Sequence, residues 1–235
     1  MMKKLLILAV IAVVGLSASA QFANSSSSSA YDNKGWSTIY AEWNPMSMYY
    51  TGKGDVDDVN FNAFSLGFNR AFALSQSTPI YLETGLAAQF MFRSDTEEEG
   101  GTYWWKETLR TQMLSLKAPV NFLYKWNIPN SSVELMPFLG LSLRANIWGQ
   151  QKEIEEGYDP GEPNNQYSGS ESWSLFDKKE MEEGQWKRFQ IGWQVGVKAR
   201  FNEKFIIGGS FGTDFMDIVK KNKFRTGTIL VGYTF

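Results

Sequence analysis

The chain has 235 residues, 23 Lys+Arg against 25 Asp+Glu for a formal charge of −2, and neither Cys nor His. That balance excludes a nucleic-acid binder, which needs a cationic face for phosphates, and the missing histidine removes the usual general base near neutral pH. A mean hydropathy of −0.31 excludes a bundle of membrane helices, but not a chain whose apolar residues are spread at alternate strand positions.

Residues 1–20 read as a cleaved secretory signal. Lys3 and Lys4 precede an apolar run over 5–16, and Ala18-Ser19-Ala20 forms a small-residue cleavage site before Gln21. The run is shorter than the ~20 residues a spanning helix needs, and no Cys follows it for lipid attachment. Removing the signal leaves 21 basic against 25 acidic residues, a net charge of −4. Residues 21–35, with the serine run 25–29, have the composition of a periplasmic linker. Residues 36–235 suit one all-β domain.

Beyond the linker, apolar and polar residues alternate in eight segments, the signature of strands with two unlike faces. Weaker examples span 36–44 and 61–72; 80–92 is clear. In 114–126, Leu116, Ala118, Val120, Phe122, Tyr124 and Trp126 oppose Ser115, Lys117, Asn121 and Lys125. The segment 133–147 puts Glu134, Ser142, Arg144 and Asn146 on its polar side. The strongest pattern is 189–201, with Phe189, Ile191, Trp193, Val195 and Val197 against Gln190, Gln194, Lys198 and Arg200. A weaker 204–215 and a final 224–235 complete the set. In the last, Ile229, Val231, Tyr233 and Phe235 share one face, as in the closing strand of an outer-membrane barrel. Tyr233 and Phe235 are therefore expected to form a C-terminal signal for the barrel assembly machinery.

Short connections at 75–78, 127–131 and 202–203 alternate with long ones at 45–60, 94–107 and 150–186. Such asymmetry predicts an eight-stranded antiparallel up-and-down transmembrane β-barrel with short periplasmic turns, long external loops and both termini periplasmic. Trp43, Phe92, Trp126, Trp148, Trp186 and Phe201 sit near strand ends, where aromatic rings form interface girdles. A soluble lipocalin-like barrel would invert the faces; the export signal and loop asymmetry favour the lipid version.

Leu116-Lys117-Ala118-Pro119-Val120-Asn121-Phe122-Leu123-Tyr124-Lys125 resembles the L-x-x-P-φ-x-φ-x-Y-K strand (φ apolar) of the PorT-like outer-membrane β-barrel proteins of Bacteroidetes. Pro137-Phe138-Leu139-Gly140-Leu141-Ser142 is similar to that family's P-[FY]-φ-G-φ-[GS] segment, and cleavage directly before Gln21 is usual there. The resemblance covers 36–235 in layout and two short motifs in detail. It implies an outer-membrane barrel and leaves activity open, because the family includes type IX secretion components and members without an assigned role. Pro119 removes a ladder hydrogen bond from a strand that must pair on both sides, so a bulge or bend is expected there, with room for Lys117.

The polar faces predict a lumen charge network of Glu42, Glu83, Glu134 and Asp214 with Lys117, Lys125, Arg144, Lys198, Arg200 and Lys204. An eight-stranded barrel is just wide enough for side chains to fill it, so the network reads as a hydrogen-bonded plug or, alternatively, as a narrow anion path. The loops are acidic at Asp55, Asp57 and Asp58, at Asp95 and residues 97–99, and at Glu153, Glu155, Glu156, Asp159 and Glu162. Such runs are self-repelling solvated loops or Ca²⁺ sites; none has EF-hand spacing, and no metal or cofactor is expected.

The 150–186 loop also carries Tyr158, Tyr167, Trp173, Phe176 and Trp186, which read as binding anchors or as packing on the barrel rim. The expected function is a non-catalytic barrel in outer-membrane lipid that binds an envelope protein or a glycan through its loops. A small channel and a lipid-modifying enzyme are the alternatives, the latter disfavoured by the absence of histidine.

Overall fold

The computed structural model describes residues 34–235 except 55, 76, 102, 159–160, 162–165 and 182–183. The signal peptide, nearly all of the linker, and Asp55, Asp159 and Glu162 lie outside the described residues.

The two-residue alternation folds as ten strands: β1 (Trp36–Tyr50), β2 (Val59–Ala73), β3 (Ile80–Glu99), β4 (Trp104–Tyr124), β5 (Trp126–Asn127), β6 (Val133–Tyr158), β7 (Gln166–Ser174), β8 (Phe189–Phe201), β9 (Phe205–Asp214) and β10 (Asn222–Thr234). Among the described residues, a short helix, α1 (Lys178–Met181), lies between β7 and β8. Eight strands close an antiparallel ring in the order β1-β2-β3-β4-β6-β8-β9-β10, with β10 paired back to β1. The two-residue β5 continues the line of β4 along β6, and β7 pairs with β6 outside the ring.

Closure gives every ring strand a paired neighbour on both sides, which is what allows a sheet to stand in lipid. The seam is made by the predicted final strand. Tyr233 pairs with Ile39, and Ser37 and Phe235 exchange two backbone hydrogen bonds of 3.0 and 2.9 Å. Outward positions form an uncharged apolar band, from Leu66 (71% exposed) and Leu139 on one side to Val197, Ile207 and Val231 on the other. Exposed apolar area of that extent is untenable in water and is what a lipid-spanning barrel requires.

Short turns at 74–79, 128–132 and 202–204 share one end of the barrel with the starts of β1 and the end of β10. Asn202 and Glu203 both have positive φ, 50° and 58°, and the Lys204 N–H donates to the Phe201 carbonyl at 3.0 Å. This is the turn with two left-handed residues that matches strand twist in hairpins.

Three sequence expectations are corrected. Lys204 closes that turn and is exposed, so it is not part of the lumen; the strand starts one residue later than its polar pattern suggested. Pro119 carries no bulge. Its pairing to Ser142 of β6 is regular, while on the β3 side the ladder lapses between Thr84↔Val120 and Ala87↔Lys117 and resumes in the same register. The proline lacks the N–H for that ladder and the sheet simply omits the bond. The register shift falls instead at Leu114/Ser115, where β6 carries one extra residue. Finally, 94–99, 104–107 and half of 150–186 are strand and not loop. β3, β4 and β6 run on past the apolar band, and β7 joins them to make a four-stranded extension.

Candidate functional site

Side chains fill the lumen in three layers. At the short-turn end, Trp36, Tyr81, Leu123, Met136 and Ile206 form an apolar cluster. The middle layer is polar and charged. Lys117 Nζ meets Glu42 at 2.9 Å, Lys198 Nζ meets Glu83 at 2.5 Å, and Arg144 meets Asp214 at 2.6 Å. At the short-turn end, beside the Trp36 and Tyr81 rings, Arg200 pairs with Glu134, which also faces Lys125 at 3.9 Å. Neutral groups extend the Lys198–Glu83 pair. Gln194 donates to Asn121 at 2.6 Å, and Asn121 donates to Glu83 at 3.0 Å. With Lys204 outside, five bases stand against four acids, and each acid has a cation beside it. Buried charge is tolerable only in such a paired and hydrogen-bonded state. Two cavities in this layer measure about 20 and 30 Å³, room for one or two waters each.

At the opposite mouth lies a second apolar cluster of Met46, Phe61, Met91, Met113, Ile218 and Phe224. Leu175, Phe176 and Trp186 insert into it from the segment after β7. Trp186 packs edge-on against Phe61 and Phe224, with ring centroids 6.1 and 5.9 Å away. The backbone fixes the insertion. The Leu175 N–H donates to the Gly149 carbonyl at 3.1 Å, the Trp186 N–H to Leu175 at 2.8 Å and the Lys187 N–H to Ile218 at 2.7 Å. A Cβ on Gly149 would come within 3.0 Å of both Leu175 and Phe176, so the glycine leaves room for the plug. Phe176 and Trp186 are each 7% exposed. They are packing residues of the mouth, which corrects the expectation that they are binding anchors.

The other loop aromatics stand on the extension. Its rows run across β3, β4, β6 and β7, as in Asp95↔Leu109↔Glu153↔Glu171 and Glu99↔Trp105↔Gly157↔Tyr167. Tyr167 is 50% exposed, with its ring laid over Gly157, where any Cβ would clash at 2.3 Å. Tyr158 and Trp173 are half-buried. Sequence reasoning missed Tyr103, Trp104 and Trp105, which are exposed at the tip; the Trp105 indole N–H donates to Glu99 at 3.2 Å. The Trp-Trp pair following two glycines was the available signal.

Alternation continues through the extension, so its two faces differ. The face continuing the lumen carries Asp95, Glu97, Glu107, Glu153, Glu155 and Glu171, with Glu97, Glu107 and Glu155 in one row. Arg93 pairs with Asp95. Partial desolvation, followed by repulsion from Glu107 and Glu155, pushes the Glu153 carboxyl above its ordinary value. Among the described residues no three carboxylates converge as a metal centre.

No protein-family profile and no curated protein matches the chain. Similar solved structures include Ail, the attachment invasion locus protein of Yersinia pestis, in complex with the heparin analogue sucrose octasulfate. It is 16% identical with a TM-score of 0.40, over 86% of this chain and 99% of that one. Neisserial surface protein A is 12% identical with a TM-score of 0.36, over 84% and 95%. The translocator domain of the autotransporter NalP from Neisseria meningitidis is 9% identical with a TM-score of 0.30, over 98% and 97%. At these values the similarity ends at general strand layout and carries nothing about activity, ligand or partner, and it lends no support to the PorT-like resemblance.

Proposed function

We propose that the protein is an outer-membrane barrel that neither conducts nor catalyses, and that it acts by presenting its strand extension to an envelope protein or a glycan. The observation that carries this reading is the contrast between the two halves of the molecule. The barrel interior is packed and capped by apolar residues at both ends, whereas β3, β4, β6 and β7 project roughly 20 Å beyond the apolar band, at about 3.3 Å per residue. The projecting sheet carries exposed aromatic rings among polar side chains, the composition of recognition surfaces. The extension faces the exterior, and the short turns and both chain ends face the periplasm, the usual asymmetry of such barrels. The motifs in β4 and β6 support a place among PorT-like barrels. The absence of histidine supports a role without catalysis.

Lys152 and Ser172 are directly paired across β6 and β7, so an Asn-Gly turn can join them and remove the tip of the hairpin. Envelope extracts passed over the intact protein and this shortened variant will yield a partner held only by the former. Equal capture by both, with each barrel folded, would overturn the reading.

A further inference from the structure

Directly opposed residues of an antiparallel pair lie about 5 Å apart, and like charges in that position repel. Arg110 of β4 and Lys152 of β6 form such a pair on the outward face of the extension. Their flanking partners in the row are Ser94 and Ser172. Both cations are exposed and make no side-chain hydrogen bond or ion pair among the described residues. The chain pairs charge elsewhere on this face: four residues farther out, Lys106 stands between Glu98 and Glu156. The unbalanced row is therefore local.

Its height on the barrel identifies what balances it. The next outward row toward the barrel holds Phe92, Gln112 and Gln150, and the one below it holds Phe90, Leu114 and Trp148, the upper edge of the apolar band. Arg110 and Lys152 thus stand one ladder step, about 7 Å along the strand, above Phe92. This is the level of the polar headgroups that border the hydrocarbon core. We infer that Arg110 and Lys152 hold the phosphate of an outer-leaflet lipid. The guanidinium fork takes two phosphate oxygens and the ammonium supplies a second charge. The Gln112 and Gln150 amides lie beneath as neutral donors, and Phe92 and Trp148 lie along the acyl chains. The site rests on the membrane placement proposed above and adds a specific lipid chemistry to it.

The test uses purified full-length protein in a neutral detergent, with lipid A retention read by native mass spectrometry. Wild type will retain phosphorylated lipid A, and the Arg110→Ala/Lys152→Ala variant will bind it at least tenfold more weakly. Dephosphorylated lipid A will bind wild type no better than phosphorylated lipid A binds the variant, and Lys106→Ala will match wild type. Both substitutions remove repulsion from an exposed row, so folding is preserved and is checked by the faster gel migration of the unboiled barrel. Equal retention by wild type and double variant, both inserted in liposomes, would overturn the site alone. Failure of wild type to insert would overturn the membrane reading. Displacement of the lipid by inorganic phosphate at equal concentration would mark a small-anion site and overturn the lipid assignment.

Discussion

Glu83 is 1% exposed and has Lys198 and Asn121 on the same carboxylate oxygen. Lys198→Met removes the cation and leaves the carboxylate buried without charge compensation, a loss of roughly 3–5 kcal/mol. Adding Glu83→Leu removes the stranded charge, and the double variant will recover most of the loss, as read by urea unfolding of the barrel in detergent micelles. Trp186→Ala will cost about 3–5 kcal/mol through the cavity it opens between Phe61 and Phe224. Partner capture will be unchanged, because the ring offers no surface to a partner. Nine of ten lumen charges were legible in the sequence because a strand turns alternate residues the same way. Lys204 was not, since strand ends are set by the turn, and here two left-handed residues delay the start of β9. Phe176 and Trp186 read as loop residues because their partners are distant in sequence and nothing local distinguishes a buried loop aromatic from an exposed one.

The extension is an element in its own right, and carboxylate repulsion on its inner face makes it sensitive to pH. Partial desolvation and the neighbouring carboxylates hold the Glu153 carboxyl above its ordinary value in the sheet, so the folded sheet binds that proton more tightly than the unfolded chain. Stability is gained as pH falls through the raised value and is complete below the ordinary carboxylate range; it is lost again as pH rises through the raised value. Amide exchange over residues 151–155, corrected for its intrinsic pH dependence, will slow on mild acidification, and Glu153→Gln will flatten that response. A wild-type response identical to that of the variant would show that Glu153 repulsion contributes nothing. The sequence concealed this element for a physical reason. Inside the band one face meets lipid and the other the lumen, so apolar and polar residues must alternate. Beyond it both faces meet water and the contrast fades, as in Ser94-Asp95-Thr96-Glu97, although the strand continues.

At the scale of the whole molecule, closure and filling act together. The apolar band carries the barrel in lipid, while apolar clusters at both ends flank the Lys117–Glu42, Lys198–Glu83 and Arg144–Asp214 pairs. Reconstitution in planar bilayers will give no stable single-channel steps, and steps whose ion selectivity changes in Arg144→Glu would overturn the sealed-lumen account. Heating will be needed to convert the fast-migrating band to its full-length position on a gel. The eight-strand closure was readable from alternation, connection lengths and the last strand, whereas the plug and extension depend on pairings that no local pattern encodes. One feature of that closure sets how the molecule responds to force. β6 runs 26 residues as one strand with a single bulge, laced to β8 over residues 133–145 and to β4 over residues 138–158. Traction on the tip therefore pulls along the strand axis, so the rungs on both sides are strained in shear and share the tension. They are not unzipped one by one, and no hinge separates the reach of the molecule from its mooring. A partner on a moving surface would be held by the stiffness of the barrel wall itself.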